Sequence, residues 1–327
     1  MAPTISILLP THNKAGLLSF AIRSVLAQSF QDFEVLVVGD GCTDDTAVIV
    51  QGFNDPRLIW FDLPKAPNYG YANRNIALRA ARGELVAFMA HDDLWLSDHL
   101  EQLIPFFDDP RVEIVYSRPL WVIPRGMIVP GFFNLEHQPT LSFFLDMGNQ
   151  IPAGCVAHRR ECLSKYGYWN DQLPGAADWD LWKRIIKGGG KQNFAYLDAP
   201  TCLHFKADWH GSDYDFNFMF PAWKRLFGSG QMPPALQVQM SEDVTEQDAV
   251  WQAMSGKPDE WNTVIRSAVR QVIDALAFEG ISAPAKDQAM ADELSAIKNS
   301  VTWRLRNRVV SVTWIQRLYA TLKSLAK

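Results

Sequence analysis

Two aspartates, Asp92 and Asp93, stand side by side just after the apolar run Glu84-Leu-Val-Ala-Phe-Met89. Like charges that close raise a carboxyl pKa unless a cation compensates them. A hard divalent ion with oxygen ligands is the natural compensation. Mg²⁺ or Mn²⁺ suits it, and Mg²⁺ prefers to share one or two carboxylates with substrate phosphates. The other reading is a solvated acidic turn that caps the next helix, with Asp93 or Ser97 as N-cap. Further acids follow other patterned runs, Asp40 and Asp44 in Gly39-Asp-Gly-Cys-Thr-Asp44, and Asp178 and Asp180 in Asp178-Trp-Asp-Leu-Trp182. On a helix Asp178 and Asp180 lie about 200° apart, so only one of the two enters a shared site.

Other chemistries are poorly supported. The chain has no GxGxxG, GxxxxGK[ST], HExxH or GxSxG, which argues against a dinucleotide fold, a P-loop ATPase, a zinc protease and a serine hydrolase. The 4 cysteines (Cys42, Cys155, Cys162 and Cys202) form no CxxC pair and have no metal spacing, as expected of reduced thiols. The 7 histidines are scattered.

The elements that must position the acids alternate. Ile5–Leu9, Phe33–Val38, Arg57–Phe61 and Glu84–Met89 read as short strands. Lys14–Gln28 and Tyr71–Arg82 carry helical spacing, and Thr43 reads as the start of a helix with Asp44 and Asp45 in its first turn. Such alternation predicts parallel strands joined by right-handed crossovers, with the ligand beyond their carboxyl ends. Pro10-Thr-His-Asn13, Asp40 and Asp92-Asp93 all fall at those ends. Farther on, Val112–Tyr116, Leu120–Ile123, Asn193–Leu197 and Thr201–Phe205 read as strands, and Asp180–Lys187 as a helix stopping at Gly188-Gly-Gly190. From about Asp213 the pattern is helical, with the expected boundary at Gly228-Ser-Gly-Gln-Met-Pro-Pro234.

With 327 residues, 48% hydrophobic and 20% charged, the chain can bury a large α/β core. Its net charge of −5 argues against a nucleic-acid partner. The charge is uneven. No acid follows Glu293, and removing the seven basic residues beyond it leaves −12 for residues 1–293. A basic terminus predicts an anionic partner. No apolar stretch is long enough to span a membrane. The N-terminus lacks the basic region of a signal peptide, so a cytoplasmic protein is expected.

Four segments in order carry a resemblance. Ser6-Ile-Leu-Leu-Pro-Thr-His-Asn13, Glu34-Val-Leu-Val-Val-Gly-Asp-Gly-Cys-Thr-Asp44, Asn68-Tyr-Gly-Tyr-Ala-Asn-Arg-Asn75 and Gly83-Glu-Leu-Val-Ala-Phe-Met-Ala-His-Asp-Asp93 resemble glycosyltransferase family 2. The similarity is strong over about residues 4–110 and weaker over 150–212. It implies a GT-A α/β nucleotide-binding fold, with a mostly parallel sheet flanked by helices and a helical C-terminal extension. The domains implied are 1–227 and 228–327. It also implies an inverting, metal-dependent transfer from a nucleotide-diphosphate sugar to an acceptor hydroxyl. By the same resemblance Pro10, Thr11 and Asn13 lie in the nucleoside loop, Asp40 reads base or ribose, and Arg74 faces the nucleotide. Asp92 and Asp93 hold the metal with Asp92 also on the donor, Asp178 is the general base, and His210 serves the metal or diphosphate. Gly39, Ala90 and Ala177 depart from the pattern, each where many members have an acid. Those departures motivate a second reading as a non-catalytic nucleotide-sugar-binding or assembly subunit. A nucleotidyltransferase is a third, disfavoured because Pro10–Asn13 is no basic Gly-rich loop.

The segment Leu294-Ser-Ala-Ile-Lys-Asn-Ser-Val-Thr-Trp-Arg-Leu305 resembles an element at the ends of bacterial surface-polysaccharide glycosyltransferases. Trp303–Lys327 offers Trp303, Val309, Val310, Trp314, Leu318, Tyr319 and Leu322 together with six basic residues. An interfacial helix on an anionic inner leaflet has this make-up. A packing helix or a contact between copies of the chain has it too. A lipid-linked or growing glycan acceptor would explain the first.

Overall fold

The computed structural model describes residues 2–123, 126–190, 192–205, 232–241 and 243–282, with side chains up to 276. Compact packing groups the described residues of Met1–Ser212 with Pro233–Val269 in one unit, and a second unit begins at Arg270. The sheet and all the site residues described below belong to the first. His210 and Trp303–Lys327 lie outside the described residues.

Apolar runs make the centre of the sheet. β1 (Ile5–Thr11) and β2 (Phe33–Asp40) are near-continuous hydrophobic stretches. Ile7, Leu8, Leu36 and Val37 have no exposed area, as strands covered on both faces require. α1 (Ala15–Leu26) links them and buries Leu18, Ile22 and Val25. α2 (Thr46–Gly52) leads to β3 (Leu58–Leu63), and α3 (Tyr71–Ala80) leads to β4 (Leu85–Phe88). These four strands are mutually parallel in the order β3-β2-β1-β4.

Beyond β4 the sheet becomes mixed. The remaining strands are β5 (Leu94–Trp95), β6 (Ile114–Ile123), β7 (Met127–Pro130), β8 (Val156–Arg159) and β9 (Phe194–Phe205). The order continues β8-β6-β9-β5, with β7 beside β6. β8 runs antiparallel to β4 and β6, while β9 is parallel to β6. The helices here are α4 (His99–Leu103), α5 (Gln138–Asp146), α6 (Glu161–Tyr166) and α7 (Ala177–Gly189), then α8 (Glu246–Ser255) and α9 (Pro258–Ser282).

Three local expectations are corrected. β6 and β9 are each one long strand rather than two short ones, because a register irregularity at Ser117–Pro119 absorbs the proline that reads as a break. α2 starts at Thr46, not Thr43, since the Asp44 carboxylate accepts from the Thr46 N–H at 3.1 Å and ends the loop there. Neither Asp93 nor Ser97 caps α4. Asp98 stands at that position, and its carboxylate takes Arg266 of α9 at 2.6 and 2.7 Å.

Candidate active site

The carboxyl ends of β1, β2 and β4 form one rim, and side chains from the first two tie their loops together. Asn13 adopts a left-handed φ of 50°. Its Oδ1 accepts from the Thr43 N–H at 2.7 Å, fixing the β1 loop to the β2 loop. Thr11 is buried, and its hydroxyl has no partner among the described residues. The Pro10 carbonyl faces His91 Nδ1 at 3.3 Å, which brings the end of β4 against that of β1.

Asp40 ends β2 and is only 5% exposed. A carboxylate so placed needs donors, and three come from the chain that follows β3. Lys65 Nζ donates at 2.5 Å, the Ala66 N–H at 2.8 Å and Asn73 Nδ2 at 2.7 Å. The approach of this segment demands a glycine. Gly70 has φ +74°, and a Cβ there would fall 2.6 Å from the Asp40 carboxylate. The Gly39 departure has a similar cause, because any Cβ would lie 2.3 Å from the Trp60 indole of β3.

Arg74 of α3 connects Asp40 to a second acid. Its guanidinium lies 5.0 Å over each of the Tyr71 and Trp169 rings and donates to the Tyr69 carbonyl at 3.2 Å. Its Nε is buried without a partner among the described residues. Burial lowers its pKa, while Tyr71, Asp178 and Asp40 push it back up. Asp178 sits in the first turn of α7 after Ala176, whose φ is +57°. Burial raises the Asp178 carboxyl above the ordinary range, against the opposing pull of its backbone hydrogen bonding and of Arg74. Ala177, the third departure, is fully buried, and its backbone amide meets the Tyr71 hydroxyl. Asp180 turns elsewhere, pairing with Arg184 at 3.0 Å. Asp40, Arg74 and Asp178 are thus brought into one electrostatic group.

Asp92 and Asp93 divide their roles. Asp93 is 1% exposed, and its carboxylate takes His204 Nδ1 at 2.9 and 3.0 Å and the Phe205 N–H at 3.2 Å. Burial raises its pKa, and the Asp92 charge adds to that. Asp93 therefore faces the interior of the fold, whereas Asp92 keeps open surface. Gln247 of α8 donates to the Asp92 backbone carbonyl at 3.4 Å. Among the described residues, no cluster of three His, Cys, Asp or Glu side chains could hold a metal. A divalent ion that takes most of its ligands from a diphosphate and water asks for only one or two carboxylates, and Asp92 meets that demand.

Sequence patterning leaves Lys65, Asn73, Tyr71, Trp169 and Gln247 without a role. Asn73 and Tyr71 stand inside a recognised motif, so a signal existed for them. Lys65, Trp169 and Gln247 carry none, because each reaches the site only through tertiary packing.

Residues 6–126 match the family model of Glycosyl transferase family 2. The chain is 26% identical over 203 residues to the Escherichia coli UDP-Glc:alpha-D-GlcNAc-diphosphoundecaprenol beta-1,3-glucosyltransferase WfaP, covering 61% of this chain and 77% of that protein. It is 33% identical over 185 residues to WfgD, an Escherichia coli enzyme of the same description, covering 56% and 70%. Among solved structures it is similar to S. aureus TarS 1-349 in complex with UDP-GlcNAc, with a TM-score of 0.52 and 22% identity over 76% of this chain and 69% of that one. That likeness concerns the fold, which is GT-A. No helix among the described residues is long and apolar enough to cross a membrane. With one residue in three shared along most of WfgD, the chain belongs to glycosyltransferase family 2 and is a glycosyltransferase.

Proposed function

We propose that this enzyme transfers a sugar from a nucleotide-diphosphate donor to a hydroxyl of a lipid-linked or growing surface glycan, with inversion at the anomeric carbon. The observation that carries the reading is Arg74, whose charge is felt by an acid at each end of the site, Asp40 and Asp178. In this reading Pro10, Thr11 and Asn13 line the nucleoside. Asp40 anchors the loop there, and Lys65, half-exposed beside it, offers a remaining N–H to an oxygen of the base, ribose or phosphate. Arg74 faces the diphosphate. Asp178, made more basic by burial, takes the proton of the acceptor hydroxyl as that oxygen attacks. A single displacement of this kind inverts the carbon.

Asp92 is the carboxylate proposed to hold a divalent ion, Mg²⁺ or Mn²⁺, with Asp93 and His204 fixing the loop behind it and His210 as a second ligand. When bound, the ion would neutralise charge on the departing diphosphate. WfaP and WfgD are named for transfer to a sugar on diphosphoundecaprenol, which supports a lipid-linked acceptor here. Residues 1–227 would then form the transferase domain. The extension from residue 228, with its basic amphipathic end, would hold the enzyme against the anionic inner face of the membrane.

The test is transfer of labelled sugar from a panel of UDP-, GDP- and TDP-sugars to polyprenyl-diphosphate-linked N-acetylglucosamine, before and after chelation. One donor should label the lipid phase, chelator should stop it, and Mn²⁺ should restore it. No label from any donor, or transfer indifferent to chelator, would overturn the proposal.

A further inference from the structure

Tyr69 is a large aromatic residue held in a backbone conformation that disfavours it. Its φ is +59° and its ψ 19°, between Asn68 at φ +54° and Gly70 at φ +74°. Asparagine and glycine tolerate the left-handed region, whereas a bulky L-residue there carries a steric penalty. Asn68 has a local reason for its place, since its Nδ2 donates to the Asp171 carbonyl at 2.8 Å. The Tyr69 carbonyl accepts from Arg74, a service glycine would render equally well. The Tyr69 side chain is 66% exposed, so the core does not require it either.

Its position supplies the missing reason. The ring centroid is 6.2 Å from that of Tyr71, whose hydroxyl meets the Ala177 amide. The ring edge faces Gly175, where a Cβ would lie 4.0 Å away, on the turn that leads into α7 and Asp178. An open aromatic face therefore stands beside the turn that carries the residue read as the base. A pyranose presents a face of C–H bonds that stacks on such a ring, with hydroxyls at its edge that reach polar neighbours.

We propose that Tyr69 is the platform on which the acceptor pyranose stacks, bringing its hydroxyl to Asp178. This rests on the glycosyl-transfer reading above. It makes Tyr69 a substrate-binding residue kept for function despite the backbone it occupies.

The test uses the full chain, the donor found active in the panel above and polyprenyl-diphosphate-linked N-acetylglucosamine as acceptor, comparing wild type with Tyr69→Gly and Tyr69→Phe. Tyr69→Gly should raise the acceptor KM by about tenfold and leave UDP affinity unchanged. Its Tm should match or exceed that of the wild type, because glycine relieves the left-handed strain. Tyr69→Phe should keep the wild-type KM. An unchanged acceptor KM in Tyr69→Gly, or a loss of UDP affinity in step with it, overturns the platform while leaving the transferase reading intact. Absence of transfer by the wild type overturns both.

Discussion

Arg74 and Asp178 each oppose the shift that burial imposes on the other. Enclosure pulls the guanidinium pKa down and pushes the carboxyl pKa up, and the field of each partner opposes both shifts. A general base must be ionised to work, so the acid limb of the kcat profile should report Asp178 and lie above the ordinary carboxylate range. Removing the cation in Arg74→Gln takes away an influence that lowers the Asp178 pKa. The acid limb should then move to higher pH. A limb that stays in place or moves down, measured across the pH range at saturating substrate, would separate Arg74 from Asp178.

Asp178→Asn keeps the shape of the side chain and removes its basicity. Transfer should fall by about 10²- to 10⁴-fold, while UDP binding measured by calorimetry stays intact. Stability should move the other way. A carboxyl raised by burial contributes stability below its unfolded pKa, and that contribution is lost as pH rises through the folded value. As pH rises the wild type loses it and the amide, which does not titrate, does not. The variant should therefore melt at or above the wild-type Tm at neutral pH, with the gap closing in acid. Equal loss of UDP binding and transfer would point to a donor-binding role for Asp178.

The turn that wraps Asp40 leaves no room at Gly70. Gly70→Ala forces an L-residue to φ +74° and drives a methyl to 2.6 Å from the carboxylate. The left-handed conformation alone costs about 1–2 kcal/mol. Tm should fall, and UDP affinity should fall with it, because Lys65, Ala66 and Asn73 cannot keep their grip on Asp40. Gly16→Ala in α1 is the matched control. Nothing lies within 4 Å of the added methyl, and the change should be neutral or slightly stabilising.

How much of this was legible in the sequence follows from what each signal measures. β1, β2 and β4 are short apolar runs, and burial on both faces writes itself directly into composition. The acids Asp40 and Asp92 were legible because they end such runs. Partners were not. Asp93 and His204 are 111 residues apart and meet only when β9 has taken its place in the sheet. The same holds for Lys65, which reaches Asp40 because β3 lies against β2. Prolines misled where a strand could absorb them, as at Pro119. The Asp178–Asp180 choice was half legible: helical geometry says the two diverge, and it took the Arg184 pairing to give Asp180 a separate task.

The basic C-terminal run carries a prediction of its own. If Trp303–Lys327 lies on an anionic leaflet, deleting residues from Trp303 onward should move the protein from the membrane to the soluble fraction. It should also weaken flotation with phosphatidylglycerol vesicles, with the intact protein released by raised salt. Unchanged partitioning of the truncated chain would remove the membrane assignment without touching the chemistry at Asp178.

Far from the active rim, Glu113 offers a test of the scaffold. Its carboxylate is 7% exposed and receives only donors: Lys165 Nζ at 2.5 Å, the Tyr166 hydroxyl at 2.7 Å and Asn193 Nδ2 at 2.8 Å. Burial alone would raise its pKa, but these three contacts outweigh it and hold the carboxyl below its ordinary value. Glu113→Gln keeps the volume and turns one acceptor into a donor, so an N–H must face Lys165 or the Tyr166–Asn193 pair. Lys165, half-exposed, can swing into water, which limits the loss to about 1–3 kcal/mol. The depressed pKa fixes the pH dependence: the contribution is complete above the unfolded glutamate value and disappears as pH falls through the folded one. The Tm gap between wild type and variant should be widest at neutral pH and narrow below about pH 4. A gap that is flat across pH would mean that shape rather than charge holds α6 and β9 at the start of β6.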